Sequence, residues 1–199
     1  MKIKTKSFVL SAPDLKHCPV SNLPEFAFIG RSNVGKSSLI NMLCEQKDLA
    51  KISGKPGKTR LMNFFLINDS WHLVDLPGYG FAKISKSVRE KWEVQTKNYL
   101  KKRENLRNIF VLIDSRLEPQ KIDLEFLSWL ADNKLHFSLI FTKSDKISSN
   151  VMVKNLKTFV KELEKNWTVL PHAIISSAET SVGKDEILDV IDQMCQEMA

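Results

Sequence analysis

One octapeptide constrains this chain more than any other feature. Gly30-Arg31-Ser32-Asn33-Val34-Gly35-Lys36-Ser37 fits the pattern G-x-x-x-x-G-K-[ST]; it lies between the apolar run Phe26-Ala27-Phe28-Ile29 and a helical period from about Lys36 to Cys44. A strand entering and a helix leaving is the context in which that pattern binds phosphate. Glycines let backbone amides close around a β-phosphate, and Lys36 sets a positive charge at the β- and γ-phosphates. The Ser37 hydroxyl can ligate Mg²⁺, a cation that dehydrates reluctantly and so suits few protein oxygens completed by phosphate and water.

The same alternation runs through the rest of the chain. Leu61-Met62-Asn63-Phe64-Phe65-Leu66-Ile67, the turn Asn68-Asp69-Ser70 and Trp71-His72-Leu73-Val74 predict a hairpin. Further strands are expected at Ile109–Ile113, Phe137–Phe141 and His172–Ile175. Ser87-x-x-Glu90 matches a capping box opening a helix with Val88, Trp92, Gln95 and Tyr99 on one face. Pro119 suits the first turn of a helix presenting Leu124, Leu127 and Leu130. A helix from Ser149 to about Lys165 is expected to bury Val153, Leu156, Val160 and Leu163, and the last helix Ile187, Val190, Ile191 and Met194. Residues 46–58 are rich in Lys and Gly without a period, and read as a loop. These elements predict an α/β fold in three layers: a mostly parallel six-stranded sheet with one antiparallel edge strand from the hairpin, and helices on both faces. One domain over 1–199 is expected, with 1–24 a short N-terminal extension.

Composition excludes several classes. No apolar run approaches the roughly 18–20 residues that cross a bilayer, and Phe8-Val9-Leu10 is too short for a signal-peptide core. Cys18, Cys44 and Cys195 are widely spaced and the four His are isolated, which argues for a reducing cytoplasm and against a disulfide or zinc framework. The net charge of +7 is unevenly spread: residues 46–103 hold thirteen basic and five acidic residues, a local +8, so the remainder carries −1. Two readings of that stretch stay open, a face for a polyanionic partner and a merely solvated basic face.

Four further segments fall in a meaningful order. Asp75-Leu76-Pro77-Gly78 follows an apolar strand; its carboxylate can hold Mg²⁺ through water, and the Gly78 amide can meet a γ-phosphate. Thr142-Lys143-Ser144-Asp145 also follows a strand. There Asp145 can accept from the ring N–H and exocyclic amine of guanine, a donor pair adenine lacks, while Lys143 lays its aliphatic stem across the base. Ser176-Ser177-Ala178 comes after Ile174-Ile175, where backbone amides can approach the guanine oxygen. Gly57-Lys58-Thr59-Arg60 precedes Leu61, and Thr59 can give Mg²⁺ a second hydroxyl while a γ-phosphate is present.

In this order the five segments place the chain among the P-loop GTPases, and it most closely resembles the EngB (YihA/YsxC) family of bacterial ribosome-assembly GTPases. The likeness runs from Phe8 to the last helix. It is most specific in Gly30 through Lys36, Ser37 and Ser38, in Lys55-Pro56-Gly57-Lys58-Thr59, in Asp75-Leu76-Pro77-Gly78-Tyr79-Gly80-Phe81-Ala82 and in Thr142-Lys143-Ser144-Asp145. Thr142 stands where GTPases generally carry the Asn of N-K-x-D, a replacement common in the related family. The resemblance implies GTP and GDP as ligands of all five segments, with Lys36, Thr59 and Gly78 catalytic. Ser37 and Thr59 would ligate Mg²⁺ directly and Asp75 through water. It also implies binding to the large ribosomal subunit during its maturation, with rRNA met through the basic 46–103 face, and a link to cell division and septation; a cytoplasmic monomer without membrane attachment is expected.

Departures from the general pattern bear on mechanism. Tyr79 occupies the position after D-x-x-G where many GTPases place a water-orienting Gln, so slow intrinsic hydrolysis is expected, with help from a partner or a cation. Asn33 lies where related GTPases use an Asn to ligate K⁺, and it equally suits a plain turn residue. Tyr79 and Phe81 either mark an interface or pack onto the helix containing Trp92. Among competing functions, a metabolic nucleotide kinase would want a basic lid and an acceptor pocket, and no lid is inserted. A division-associated GTPase acting without the ribosome, by filaments or membrane remodelling, would want an extra helical domain or amphipathic tail.

Overall fold

Apolar residues pointing both ways along Phe26–Ile29 leave that segment one place, inside a sheet covered on both faces. The computed structural model describes residues 1–50, 61–80 and 86–197, with the backbone alone of 86–89, 91 and 92. In chain order the elements are β1 (Lys6–Ala12), β2 (Glu25–Gly30), α1 (Lys36–Leu43), β3 (Met62–Ile67), β4 (Trp71–Asp75) and α2 (Lys86–Lys102). They continue as β5 (Leu106–Asp114), α3 (Lys121–Asp132), β6 (Phe137–Thr142), α4 (Ser149–Glu164), β7 (Ala173–Ile175) and α5 (Lys184–Gln196).

The sheet order is β1-β3-β4-β2-β5-β6-β7, with β4, β2, β5, β6 and β7 mutually parallel. The α/β class and its three layers are as expected, but among the described residues the strands number seven rather than six. Residues 6–12, assigned by sequence to the N-terminal extension, pair antiparallel outside β3. The strand running against the rest is therefore β3, one place in from the edge. Its hairpin closes through Asn68 and Asp69, both at positive φ (50° and 52°), which is what a type I′ turn demands. The tip also holds the chain start: Asn68 Oδ1 accepts from the Lys4 amide at 2.7 Å and its Nδ2 donates to the Lys2 carbonyl at 2.8 Å.

Strand alternation sorts the core into two layers. Ala27, Ile29, Ile109 and Val111 pack with Tyr99, Leu127, Phe159 and Leu163 from α2, α3 and α4. Phe26, Phe28, Phe110 and Leu112 face Leu39, Ile40, Ile187 and Ile191 from α1 and α5. On α4 the expected face holds at Leu163, which is buried, and at Leu156, which packs against the core, but Met152 and Phe159 are buried in place of their neighbours Val160 and the half-exposed Val153.

At the foot of β2 the fully buried Glu25 anchors α2. Its carboxylate accepts from Tyr99 Oη at 2.7 Å and from Arg103 Nε at 3.0 Å from each oxygen, and Arg103 Nη2 also donates to the Pro19 carbonyl at 2.8 Å. Arg103 thus serves inside the fold, although it was counted with the basic face. Arg103→Met would leave a buried carboxylate uncompensated and should lower unfolding stability by about 3–5 kcal/mol. Urea titrations of both proteins measure this; a loss under about 1 kcal/mol would mean that water reaches Glu25 and the anchor is dispensable.

Candidate functional site

The register of the parallel strands brings their carboxyl ends to one edge. Phe28 pairs with Asp75, Gly30 with Leu112, Asp114 with Thr142, and Phe141 with Ile175. All the described candidate segments that follow a strand leave from this edge, where open α/β sheets bind ligands. Gly30 is needed by close approach, since a Cβ there would stand 2.8 Å from the Leu112 carbonyl oxygen and 2.9 Å from Val34 Cγ1. Asn33 (φ 62°) and Gly35 (φ 106°) then turn the chain through left-handed conformations into α1. Gly35 caps α1 without a side chain, so the first-turn amides are left to face the loop's concavity. The positive φ of Asn33 accounts for this residue as a turn former.

Lys36 ion-pairs with Asp75 at the end of β4, both side chains nearly buried, and Asn63 Nδ2 of β3 approaches the other carboxylate oxygen at 3.4 Å. Ser37 is the second residue of α1 and Ser38 the third. Beyond Asp75 the chain passes along the phosphate loop. The Leu76 amide donates to the Phe28 carbonyl at 3.0 Å and the Tyr79 amide to the Gly30 carbonyl at 3.3 Å, which sets Gly78 beside Gly30-Arg31. Tyr79 does not stand free: its ring stacks on Phe126 of α3 at 4.5 Å.

The two segments expected to read a base meet on the far side of the phosphate loop. Thr142 Oγ1 lies 2.6 Å from the Val34 carbonyl oxygen, so this buried Thr spans the gap between β6 and the loop. Lys143, at φ 61°, donates to the Asn33 carbonyl at 2.5 Å and to Asp114 at 2.9 Å. Asp145 accepts from Ser177 Oγ at 2.7 Å and pairs with Lys146 at 2.8 Å, and these two neighbours hold its carboxyl below the usual range. The Ser144 amide donates to the Ser176 carbonyl at 3.2 Å, and Ser176 Oγ is buried without a partner among the described residues. A cavity of about 190 Å³ opens here between Gly35, Ser38, Thr142, Lys143, Asp145 and Ala178.

Gly57, Lys58, Thr59 and Arg60 lie outside the described residues, as do Lys55, Phe81 and Lys83 and the side chains of Arg89, Lys91 and Trp92; Leu61 is exposed at the lip of β3. Sequence reasoning missed Asp114 and Asp123. Asp114 ends β5 as Asp75 ends β4, the one signal that pointed to it. Burial pushes its carboxyl up, but Arg116 (2.8 and 2.9 Å) and Lys143 outweigh that and hold it below the usual value. Its charge therefore stabilises the fold above about pH 4, and that contribution fades as pH falls through the lowered value. Asp123, in the first turn of α3, has no local signal at all.

Comparison with known proteins extends this geometry. Residues 25–143 match the family model described as 50S ribosome-binding GTPase. A probable GTP-binding protein EngB of Christiangramia forsetii is 54% identical over 192 residues, 96% of this chain and 97% of that one. The chain belongs to the EngB family of GTP-binding proteins. A probable EngB of Porphyromonas gingivalis (strain ATCC 33277) is likewise 54% identical, over 100% of this chain and 99% of its own. The crystal structure of a probable GTP-binding protein engB matches with a TM-score of 0.65 at 23% identity, covering 87% of this chain and 99% of that one, a likeness of fold. An EngB-type P-loop GTPase is thus the frame in which these residues stand.

Asp114→Asn keeps the size of the residue and removes the charge that holds Lys143 across the phosphate loop. GDP affinity should fall about tenfold, the effect of weakening one hydrogen bond to a charged group. Isothermal titration measures it; unchanged affinity would show that Lys143 keeps its place without Asp114.

Proposed function

We propose that this chain is a single GTPase domain that binds GTP with Mg²⁺, hydrolyses it slowly and acts as a nucleotide-controlled switch in assembly of the large ribosomal subunit. The observation that carries the reading is the convergence of Lys36, Asp75, Asp145 and Ser177, each delivered by a different strand, around the Gly30–Gly35 turn. Lys36 and the first-turn amides of α1 would meet phosphate, and the Asp145 carboxylate, beside a cavity, would accept from the base.

The donor set suits Mg²⁺. Asp75 supplies a nearly buried carboxylate and Ser37 a hydroxyl at the start of α1, hard oxygens that fit this cation and leave positions for phosphate and water. Thr59 would add its hydroxyl with GTP. When bound, Mg²⁺ neutralises charge on the β- and γ-phosphate oxygens. The protein's own part is positional: Lys36 pairs phosphate charge, the Gly78 amide faces the γ-phosphate, and Asp145 selects guanine. Tyr79 offers no amide to a water, which supports a low intrinsic rate. Asn33 brings K⁺ into the same proposal on the strength of family resemblance.

The ribosomal role rests on that resemblance and on the basic stretch 46–103, where Lys47, Lys101 and Lys102 are exposed. The link to division and septation, the monomeric state and the cytoplasmic location belong to the same reading; no described helix is long and apolar enough to cross a membrane.

Two measurements test this. Asp145→Asn should turn an acceptor into a donor facing guanine's donors, weakening GDP by at least about tenfold while admitting xanthosine diphosphate. Unaltered GDP binding would dismiss the base assignment. Large ribosomal subunits should co-sediment the protein more with a non-hydrolysable GTP analogue than with GDP, with log affinity falling against log salt by about 0.7–0.9 per phosphate contact. Pelleting indifferent to nucleotide and salt would contradict the switch.

A further inference from the structure

Position 79 is where the hydrolysis step is expected to be weakest, and what holds the Tyr79 side chain is α3, outside the nucleotide loops. Asp123 of α3 is 1% exposed, and its two carboxylate oxygens go to two different segments. Oδ1 accepts from Tyr79 Oη at 2.9 Å, and Oδ2 pairs with Arg31 Nε at 3.2 Å. Arg31 follows Gly30 in the phosphate loop, and Tyr79 follows Gly78. The backbones of the same two residues also form an isolated parallel bridge. The chain beyond Tyr79 is wedged in the same place: Gly80 has φ +76°, and a Cβ on it would stand 3.0 Å from Ile122 Cδ1 of α3 and 3.8 Å from Arg31 Cγ.

We propose that Asp123 is a positioning residue for GTP hydrolysis: by holding Arg31 and Tyr79 together it fixes the distance between the phosphate loop and the Gly78 amide. This rests on the GTPase reading and deepens it. A carboxylate at this depth is a poor stabiliser, because desolvation offsets most of the attraction to Arg31. Burial pushes its carboxyl above the ordinary range even with Arg31 beside it, and burial with the adjacent Asp123 charge lifts the Tyr79 phenol well above its own. What the arrangement supplies instead is geometry. One rigid acceptor on a helix outside the nucleotide loops ties together the two segments whose separation decides whether Gly78 can reach a γ-phosphate. Tyr79, turned into α3, acts as a tether where other GTPases position water.

The test compares wild type, D123N, Y79F and the double variant. D123N keeps size and an acceptor but loses the charge on Arg31; Y79F keeps the stack on Phe126 and loses the hydroxyl. Single-turnover GTP hydrolysis should drop about tenfold in either variant. The double variant should be no slower than the slower single one, since both break one linkage. KM for GTP and the affinity for GDP should move less than about threefold, because Lys36 and Asp145 keep their own contacts. Thermal unfolding in parallel separates a folding defect: a lower Tm with unchanged hydrolysis, or effects that multiply in the double variant, would overturn the positioning role. Wild-type protein that failed to bind or hydrolyse GTP would overturn the GTPase reading itself, and this inference with it.

Discussion

The close approach of Gly30 to the Leu112 carbonyl is the constraint from which the site follows. A side chain at residue 30 would push β2 away from β5 at the level where both strands deliver their loops. With the gap closed, the phosphate loop leaves the sheet from its middle, and Asp75 and Asp114 end neighbouring strands on either side. Lys36 then reaches one of those carboxylates while Lys143 reaches the other. The buried Glu25–Arg103 pair at the opposite end of β2 keeps α2 docked against the same strand. The functional edge can therefore be built from loops because the strand beneath it is fixed at both ends.

Much of this was legible in the sequence, because a motif is a local statement and most of the site is made of motifs. The octapeptide, Asp75–Gly78, Thr142–Asp145 and Ser176–Ala178 each follow a strand whose apolar run declares it. The hairpin was equally plain, since Asn68-Asp69 accept positive φ. What escaped depends on partners far along the chain. Residues 6–12 show no clean alternation and are mostly half exposed, so only pairing with β3 makes them a strand. In α4 the neighbours Phe159 and Val160 both fit the helical period with Leu156 and Leu163, and packing on Phe141 selects Phe159. Asp123 gains its meaning from Arg31 and Tyr79, more than forty residues away in sequence.

Charge shows the same limit in another form. The sum of +8 over residues 46–103 is a property of the chain, whereas an approaching polyanion meets only what lies outside. Arg103 is spent on Glu25, and Lys97 pairs with Glu93 at 2.7 Å while its ammonium sits 5.2 Å over the Trp129 ring. Lys101 and Lys102, immediately before Arg103, remain exposed. A linear count therefore does not give the field at the surface: Glu93 is already inside the sum of +8, whereas the Glu25 that neutralises Arg103 is not.

Thr142 and Lys143 bind the phosphate loop to the strand that carries the base-reading loop, through the carbonyls of Val34 and Asn33. Two subsites joined in this way behave as a chelate. On the proposed reading, base and phosphates would engage a frame already locked in mutual alignment, so the entropy of aligning them is lost at folding and not again at binding. A nucleoside lacking phosphates, or a pyrophosphate lacking a base, would each capture little of the affinity of the whole nucleotide. Discrimination at the base end would thereby be felt along the phosphate chain.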